Sequence, residues 1–304
     1  MRALSCLLLA CLAIAGCGLG PGKERTGGVE LRVTRDFGHQ TLGDVRAGKI
    51  REGQTVMRLL RSHFDVRTRY GGGFVQAIRG VAGKGPGGQR DWFYFVNGVE
   101  AKVGAADYEL SPGDVVQWDY RRWDAAMSVP AIVGAFPEPF RHGLHGKRFP
   151  VRVECEAAAS APCNEVKRRL DAEGIAATGA SLGTSGTEKV IRVVVAKWRR
   201  ARTISSVSPL EQGPARSGVF AHFSRGGLEL LGENGKPAQL APPGTGLVAA
   251  LAPSGSIVWL VTALDDRGLL AAARALDRRD LRDAYAVAVT PSGSERLPLE
   301  RSAP

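Results

Sequence analysis

Residues 91–101 read DWFYFVNGVEA: four consecutive aromatics, then Asn-Gly, then a second apolar stretch, in a chain whose aromatic content is only 7%. In an extended strand Phe93 and Phe95 point one way, while Trp92, Tyr94 and Val96 point the other. Asn-Gly is the dipeptide that two-residue hairpins favour, because both residues accept positive φ. The segment is therefore a sheet strand with large rings on both faces, and each face needs a cover.

The surrounding sequence supplies the rest of a small unit. Residues 29–38 (VELRVTRDFG) alternate apolar and polar as a strand does, and residues 39–53 read as a turn and a short second strand. QTVMRLLRSHFDV places Val56, Leu59, Leu60 and Phe64 at helical spacing, which predicts one amphipathic helix. RYGGGFVQAIRGVAG predicts a glycine-rich entry and a third strand, DWFYFVNGVEA a fourth, and the Pro-Gly turn before VVQWDYRRW a last. Strand, strand, helix, strand, strand, strand is the order of a β-grasp-like sheet with one helix across one face. With Phe93, Phe95, Val116, Trp118 and Tyr120 taken as the core beneath that helix, the other face combines Trp92 and Tyr94 with Gln117, Asp119 and Arg121. Aromatic rings beside hydrogen-bonding groups suit a ligand. Two alternatives stay open at this point: a second domain packs on that face, or the register runs the other way and the faces exchange.

This stretch, from about residue 29 to 124, resembles the transcobalamin-like C-terminal domain family, whose bacterial members form the domain of unknown function 4430. The resemblance rests on TVMRLLRSHF, YGGGFVQAI and WFYFVNGVEAKVGAADYELSPGDVVQWDY, with GAADY and PGD especially typical. In transcobalamins this small domain closes over cobalamin against a helical barrel, and its aromatic hairpin strand touches the ligand. Carried over by position, those contacts fall on Trp92, Tyr94 and Asn97. No α-helical barrel accompanies the domain in this chain. The resemblance implies a binding module for cobalamin or another corrinoid.

The N-terminus predicts where such a module works. Arg2 precedes a short apolar run at residues 3–13, followed by IAGC ending at Cys17 and by a Gly/Pro-rich stretch. The apolar run is too short to span a bilayer. The pattern is that of a bacterial lipoprotein signal: residues 1–17 end at a lipidated Cys17, and residues 18–28 form a tether that holds the protein to the outer face of a membrane. With Cys6 and Cys11 in the signal, the mature chain keeps Cys155 and Cys163. One remaining pair in an exported protein predicts a disulfide between a strand and the following helix.

At 304 residues and 44% hydrophobic content the chain holds two domains with real cores. Residues 125–149 are rich in Pro and Gly and read as a connecting segment apolar enough to dock. Residues 150–304 interleave strands and helices as a mixed α/β domain of no recognised family. The predicted strands include 151–155, 189–198, a hairpin over 218–240, 246–251, 256–264 and 285–290, with helices over 163–173 and 266–284, the latter capped by Asp265 or Asp266. The predicted fold class is thus α+β: a small β-grasp-like sheet with one packed helix, then a mixed α/β domain.

Net charge is +11, but the basic residues are scattered and no nucleic-acid-binding signature is present. GASLG around Ser181 fits a nucleophile-elbow spacing without the strand-to-helix context that motif needs. His142 and His145 lie three apart on glycine-rich backbone without further metal ligands. No phosphate-cradling or dinucleotide fingerprint and no other cofactor motif is present. The expectation is a non-enzymatic, membrane-anchored extracytoplasmic module that captures a ligand for a transporter. The alternative is a structural or adhesive envelope lipoprotein whose β-grasp unit contacts other proteins.

Overall fold

The computed structural model describes residues 23–83, 88–184 and 189–300. The signal segment, Cys17 and the start of the tether lie outside the described residues. Strands β1 (Glu24–Arg35) and β2 (Gln40–Arg51) form an antiparallel hairpin, with Val29, Leu31 and Val33 alternating inward. The turn between them takes positive φ at Asp36, Phe37 and Gly38. Gly38 has no substitute there, since a Cβ would lie 1.9 Å from the Asp283 carbonyl oxygen.

Helix α1 (Val56–His63) starts where the Thr55 hydroxyl accepts the Arg58 N–H at 3.3 Å, and it buries Val56, Met57, Leu59 and Leu60. Strands β3 (Val66–Arg69), β4 (Phe74–Ile78) and β5 (Val81–Ala82) follow. Sequence reading predicts one strand here, but the chain folds back twice, at the positive-φ residues Tyr70 to Gly72 and again at Arg79 and Gly80. The result is a separate three-stranded sheet.

Strands β6 (Arg90–Val96), β7 (Val99–Glu100) and β8 (Val115–Arg122) complete the main sheet in the order β2-β1-β8-β6-β7. Its first and last strands, β1 and β8, lie parallel at the centre, and α1 crosses one face, which is β-grasp topology. The fold class is α+β.

The register corrects the predicted faces. In the antiparallel β6–β8 pair Trp92 lies opposite Tyr120, Tyr94 opposite Trp118 and Val96 opposite Val116. Directly paired residues share a face. The rings beneath α1 are therefore Trp92, Tyr94, Trp118 and Tyr120, clustered with Leu59 and Leu60. Phe93 and Phe95 lie on the opposite face, among Gln117, Asp119 and Arg121.

Beyond the connecting segment the chain forms β9 (Val151–Cys155), α2 (Ala161–Ala172), β10 (Ala177–Ser181), β11 (Ile191–Lys197), α3 (Trp198–Ala201), α4 (Pro214–Ser217), β12 (Ala221–Ser224), β13 (Gly227–Leu231), β14 (Pro237–Leu240), β15 (Gly246–Leu251), β16 (Val258–Ala263), α5 (Asp266–Arg274), α6 (Arg278–Leu281), β17 (Ala286–Thr290) and β18 (Gly293–Leu297). Seven of these strands join in the order β10-β9-β11-β16-β15-β17-β18, and β12-β13-β14 form a small sheet of their own. The four strands β10, β9, β11 and β16 run parallel. The apolar runs of the central strands β11 (IRVVVAK) and β16 (VWLVTA) are what burial on both faces requires.

One face lies under α2 and α5, with Val166, Leu170, Leu269 and Ala273 against Val153, Val195 and Val261. The other face, with Val194, Ala249 and Leu260, meets Trp198, Phe220 and Leu230, and also Phe37, Phe95 and Tyr285 at the first sheet. Asp265 caps α5 by accepting the Gly268 N–H at 2.7 Å. The predicted long helix stops at Arg274, because Asp277 accepts the N–H groups of Arg279 and Asp280 and starts a new short helix. Cys155 at the end of β9 and Cys163 in α2 are disulfide-bonded, with their Cα atoms 6.0 Å apart.

Candidate functional site

All six side chains expected to meet a ligand are buried. The Trp92 indole N–H donates to the Val81 carbonyl at 3.2 Å, and the ring packs 5.3 Å from Tyr120. Tyr94 stacks on Trp118 at 4.8 Å and donates to the Val103 carbonyl, and burial pushes its phenol well above the usual range. Both rings belong to the core under α1, because the register places them there.

Asn97 has a structural role at the hairpin. It takes positive φ in the turn, its carbonyl oxygen accepts the Val115 N–H at 2.8 Å, and its amide donates to Asp114 at 2.8 Å and to the Gly143 carbonyl at 2.7 Å. The side chain thus ties β6, the start of β8 and the connecting segment together.

Gln117, Asp119 and Arg121 face the seven-stranded sheet instead of solvent. Gln117 donates to the Asp283 carbonyl at 3.0 Å. The Asp119 carboxylate accepts from the Thr34 hydroxyl at 2.7 Å, the backbone N–H groups of Phe37 and Gly38 at 3.0 and 3.1 Å, and the Tyr285 hydroxyl at 3.0 Å. Burial pushes its carboxyl above the ordinary aspartate range, while those donors and the Arg121 charge pull the other way.

The fully buried Arg121 guanidinium donates to the carbonyls of Arg122, Ala126 and Met127 at 2.8 to 3.0 Å and lies 3.7 Å from the centre of the Phe93 ring. Nearby, Arg32 donates to the Gly134 carbonyl at 2.8 Å and pairs with Asp283 at 3.2 Å. A charge taken out of water is tolerated only with such partners. Arg32, Gln117 and Asp119 join the first sheet to residues 283–285 beside the second, Arg121 holds the turn after β8, and Phe95, 5.5 Å from Tyr285, adds an apolar centre.

The concavity on this junction lies a short way off. A cleft of about 280 Å³ opens between β1, β2, the turn before β8, residues 135–142 and α6. Gly28, Gly48 and Gly113 leave its walls open, and Arg46, Arg141 and Arg278 stand on its rim. Arg46 pairs with Glu30 at 2.8 Å, and Arg278 pairs with Glu173 at 2.7 Å. Burial pushes Glu30 up, but the guanidinium groups of Arg32 and Arg46 outweigh it and hold the carboxyl below its usual range.

At the cleft floor Glu138 accepts the His142 backbone N–H at 2.9 Å and bonds His142 Nδ1 at 2.7 Å. Burial pushes the adjacent Asp114 carboxyl up against the donors of Ser111 and Asn97. Arg141 is exposed and has no ion-pair partner among the described residues. Sequence reading missed the cleft because it gathers segments more than 200 residues apart in the chain, with no local motif to mark them.

The remaining motifs take ordinary places. Ser181 closes the edge strand β10 and is followed by a turn, so the elbow geometry is absent. His142 is held by Glu138, and His145 stacks on Tyr108 at 4.7 Å, so the two histidines do not converge. Among the described residues no three His, Cys, Asp or Glu side chains gather as a metal site.

Residues 53–122 match the model of a family described as a domain of unknown function, DUF4430. No curated protein matches the chain. Among solved structures, haptocorrin in complex with Cbi is similar over 33% of this chain at 13% identity and a TM-score of 0.27, and the match spans 26% of haptocorrin, about a quarter of its length. A protein of Ruminococcus gnavus proposed to bind metal is similar over 32% of this chain and 97% of its own, at 15% identity and a TM-score of 0.25.

Proposed function

We propose that the chain is a non-catalytic envelope protein, held by lipid on Cys17 to the outer face of a bacterial membrane, that captures a small anionic ligand in the cleft between its two sheets for hand-over to a transporter. The observation that carries the ligand reading is the arginine rim of Arg46, Arg141 and Arg278 around a concavity built by both halves of the chain. Guanidinium groups suit phosphate and carboxylate groups because their planar fork of donors matches those oxygens. Membrane attachment falls to the lipid, since among the described residues no helix is long and apolar enough to cross a bilayer. A corrinoid, the ligand implied by the family resemblance, is larger than the cleft, so only part of it fits there.

Titration calorimetry with inorganic phosphate, small di- and tricarboxylates, cobalamin and cobinamide tests the reading. Binding of an anion in the panel that weakens at least about tenfold in Arg46→Ala/Arg141→Ala, for about 1.4 kcal/mol or more of lost contact, supports it. Absence of binding by every compound overturns the ligand reading. A second reading, a structural or adhesive lipoprotein, is favoured by one observation: on the outer face of the aromatic strand Phe95 is buried and the half-buried Phe93 ring is covered by the Arg121 guanidinium, which leaves no open ring platform.

A further inference from the structure

The strongest unexplained surface is the hairpin tip between β3 and β4. Tyr70 is 86% exposed and Phe74 39% exposed, and their rings meet edge to face at 6.3 Å. Between them Gly71, Gly72 and Gly73 carry no side chains, so the backbone of the tip can approach a surface closely. Large rings left in water at a loop tip, with glycines between them, mark an interaction surface. Arg69 lies opposite Phe74 in the register, and Arg67 shares its exposed side of β3. On the other flank Arg61 of α1 donates to the Thr68 hydroxyl at 2.9 Å and approaches Gly72. Arg61, Arg67 and Arg69 are exposed and have no ion pair among the described residues. Residues 61–74 hold Arg61, Arg67 and Arg69 against a single carboxylate, Asp65, so the segment is net positive.

The first turn of α1, the helix that carries Arg61, lies close to where the chain enters the fold. The Lys23 carbonyl accepts the Glu52 N–H at 3.0 Å, and Gly53 accepts from Arg58 on the first turn of α1. From there Arg61 is less than one further turn along the helix, at about 1.5 Å per residue. Six peptide links separate Cys17 from Lys23, a reach of at most about 21 Å when extended. A bilayer holding a lipid on Cys17 is therefore within reach of the tip.

We propose that the Tyr70/Phe74 tip and its flanking Arg61, Arg67 and Arg69 dock on a bilayer surface carrying anionic headgroups, so that the protein contacts the membrane at two points and is oriented on it. The inference rests on the lipid-anchored reading above. The rings enter the headgroup region, where amphipathic aromatics settle, and the guanidinium groups meet phosphate.

The test is co-sedimentation of the exported, unlipidated Cys17→Ala chain with phosphatidylcholine vesicles with and without phosphatidylglycerol. Salt-sensitive partition to the anionic vesicles is expected, weakened roughly 100-fold in Arg61→Gln/Arg67→Gln/Arg69→Gln, from about fivefold per arginine removed from an anionic surface. Tyr70→Asn/Phe74→Thr, chosen because Asn tolerates the positive φ at position 70, is expected to remove the part of the binding that survives high salt. Unchanged thermal midpoints show that these surface variants are folded.

Equal partition to both vesicle types, or full binding by the triple arginine variant, overturns the proposal, as does binding to an acidic protein in place of vesicles. Palmitate labelling of the unsubstituted protein separates the two readings. A labelled Cys17 with no vesicle partition by the Cys17→Ala chain sinks the docking surface alone, and partition without labelling sinks the anchor alone.

Discussion

The five-stranded sheet has two buried faces of opposite character. Beneath α1, Trp92, Tyr94, Trp118 and Tyr120 form an apolar stack in which the polar atoms of Trp92, Tyr120 and Tyr94 reach the backbone carbonyls of Val81, Ala82 and Val103, while the Trp118 indole N–H is buried without a partner among the described residues. On the other side, Phe93 and Phe95 share their face with Arg32, Thr34, Gln117, Asp119 and Arg121, all buried against the connecting segment and the second sheet. The first face holds by area removed from water; the second holds by matched partners around a small apolar centre. Polar composition on a strand face therefore does not mean water: here Arg32 and Asp119 bond groups from distant segments and Arg121 the carbonyls of the adjoining turn, while Arg32 Nε, Gln117 Oε1 and Arg121 Nε are buried without a hydrogen-bond partner among the described residues.

The largest effects should come from truncating rings on either face. Phe95→Ala and Trp118→Ala should each cost about 3 to 5 kcal/mol by urea unfolding. Trp92→Ala should fall in the same range, because its ring is core. A loss near zero for Phe95→Ala breaks the comparison, since it leaves the outer face open to solvent. Phe95→Ala should also lower the unfolding of both sheets together in calorimetry, because Phe95 packs on Tyr285 of the second unit.

Removal of the polar partners comes next. Arg121→Ala strips the donors from the buried Ala126 carbonyl and the half-buried Arg122 and Met127 carbonyls and empties the space beside Phe93, and should cost about 3 kcal/mol, whereas Arg121→Met, which keeps the packing against Phe93, should cost less. Equal losses would make the guanidinium's hydrogen bonds irrelevant to the junction.

A smaller effect sharpens the same face through pH. With its folded pKa raised by burial, Asp119 holds its proton more tightly in the native state than in the unfolded chain. Between the unfolded value, about 3.9, and the folded one, the native state binds more protons, so the stability this group contributes is fully present below that window and is lost as pH rises through it. The stability of the unsubstituted protein minus that of Asp119→Asn should accordingly shrink as pH rises from about 4, measured by urea midpoints. A difference that grows with pH contradicts the raised pKa.

Much of the fold is legible in the sequence because its signals are local. The Asn-Gly hairpin, the Val56/Leu59/Leu60 helix, the Asp265 cap and the Val/Ile runs of β11 and β16 each follow from a few neighbouring residues. The edge strands β10 and β18 were not legible: ATGAS and GSERL carry few residues that need burial, and their partners alone make them strands. The site was less legible still. Alternation showed that the aromatic strand has two faces, but which residues of β8 share each face depends on register, which one residue's slip inverts. Asn97, Asp119 and Arg121 are conspicuous polar groups in a hydrophobic setting, and that signal marks a junction as readily as a ligand site. The cleft itself draws on Arg46, Arg141 and Arg278, and only the tertiary fold brings them together.

The direct test of the account is whether the outer face of the first sheet is joined to the second unit in solution. A double-mutant cycle on Asp119→Ala and Tyr285→Phe isolates their 3.0 Å hydrogen bond across the junction. A coupling energy of about 1.5 kcal/mol, as expected for a buried bond to a charged group, is the result predicted. Losses that add to within about 0.5 kcal/mol would contradict the account, since they would place the two residues out of contact.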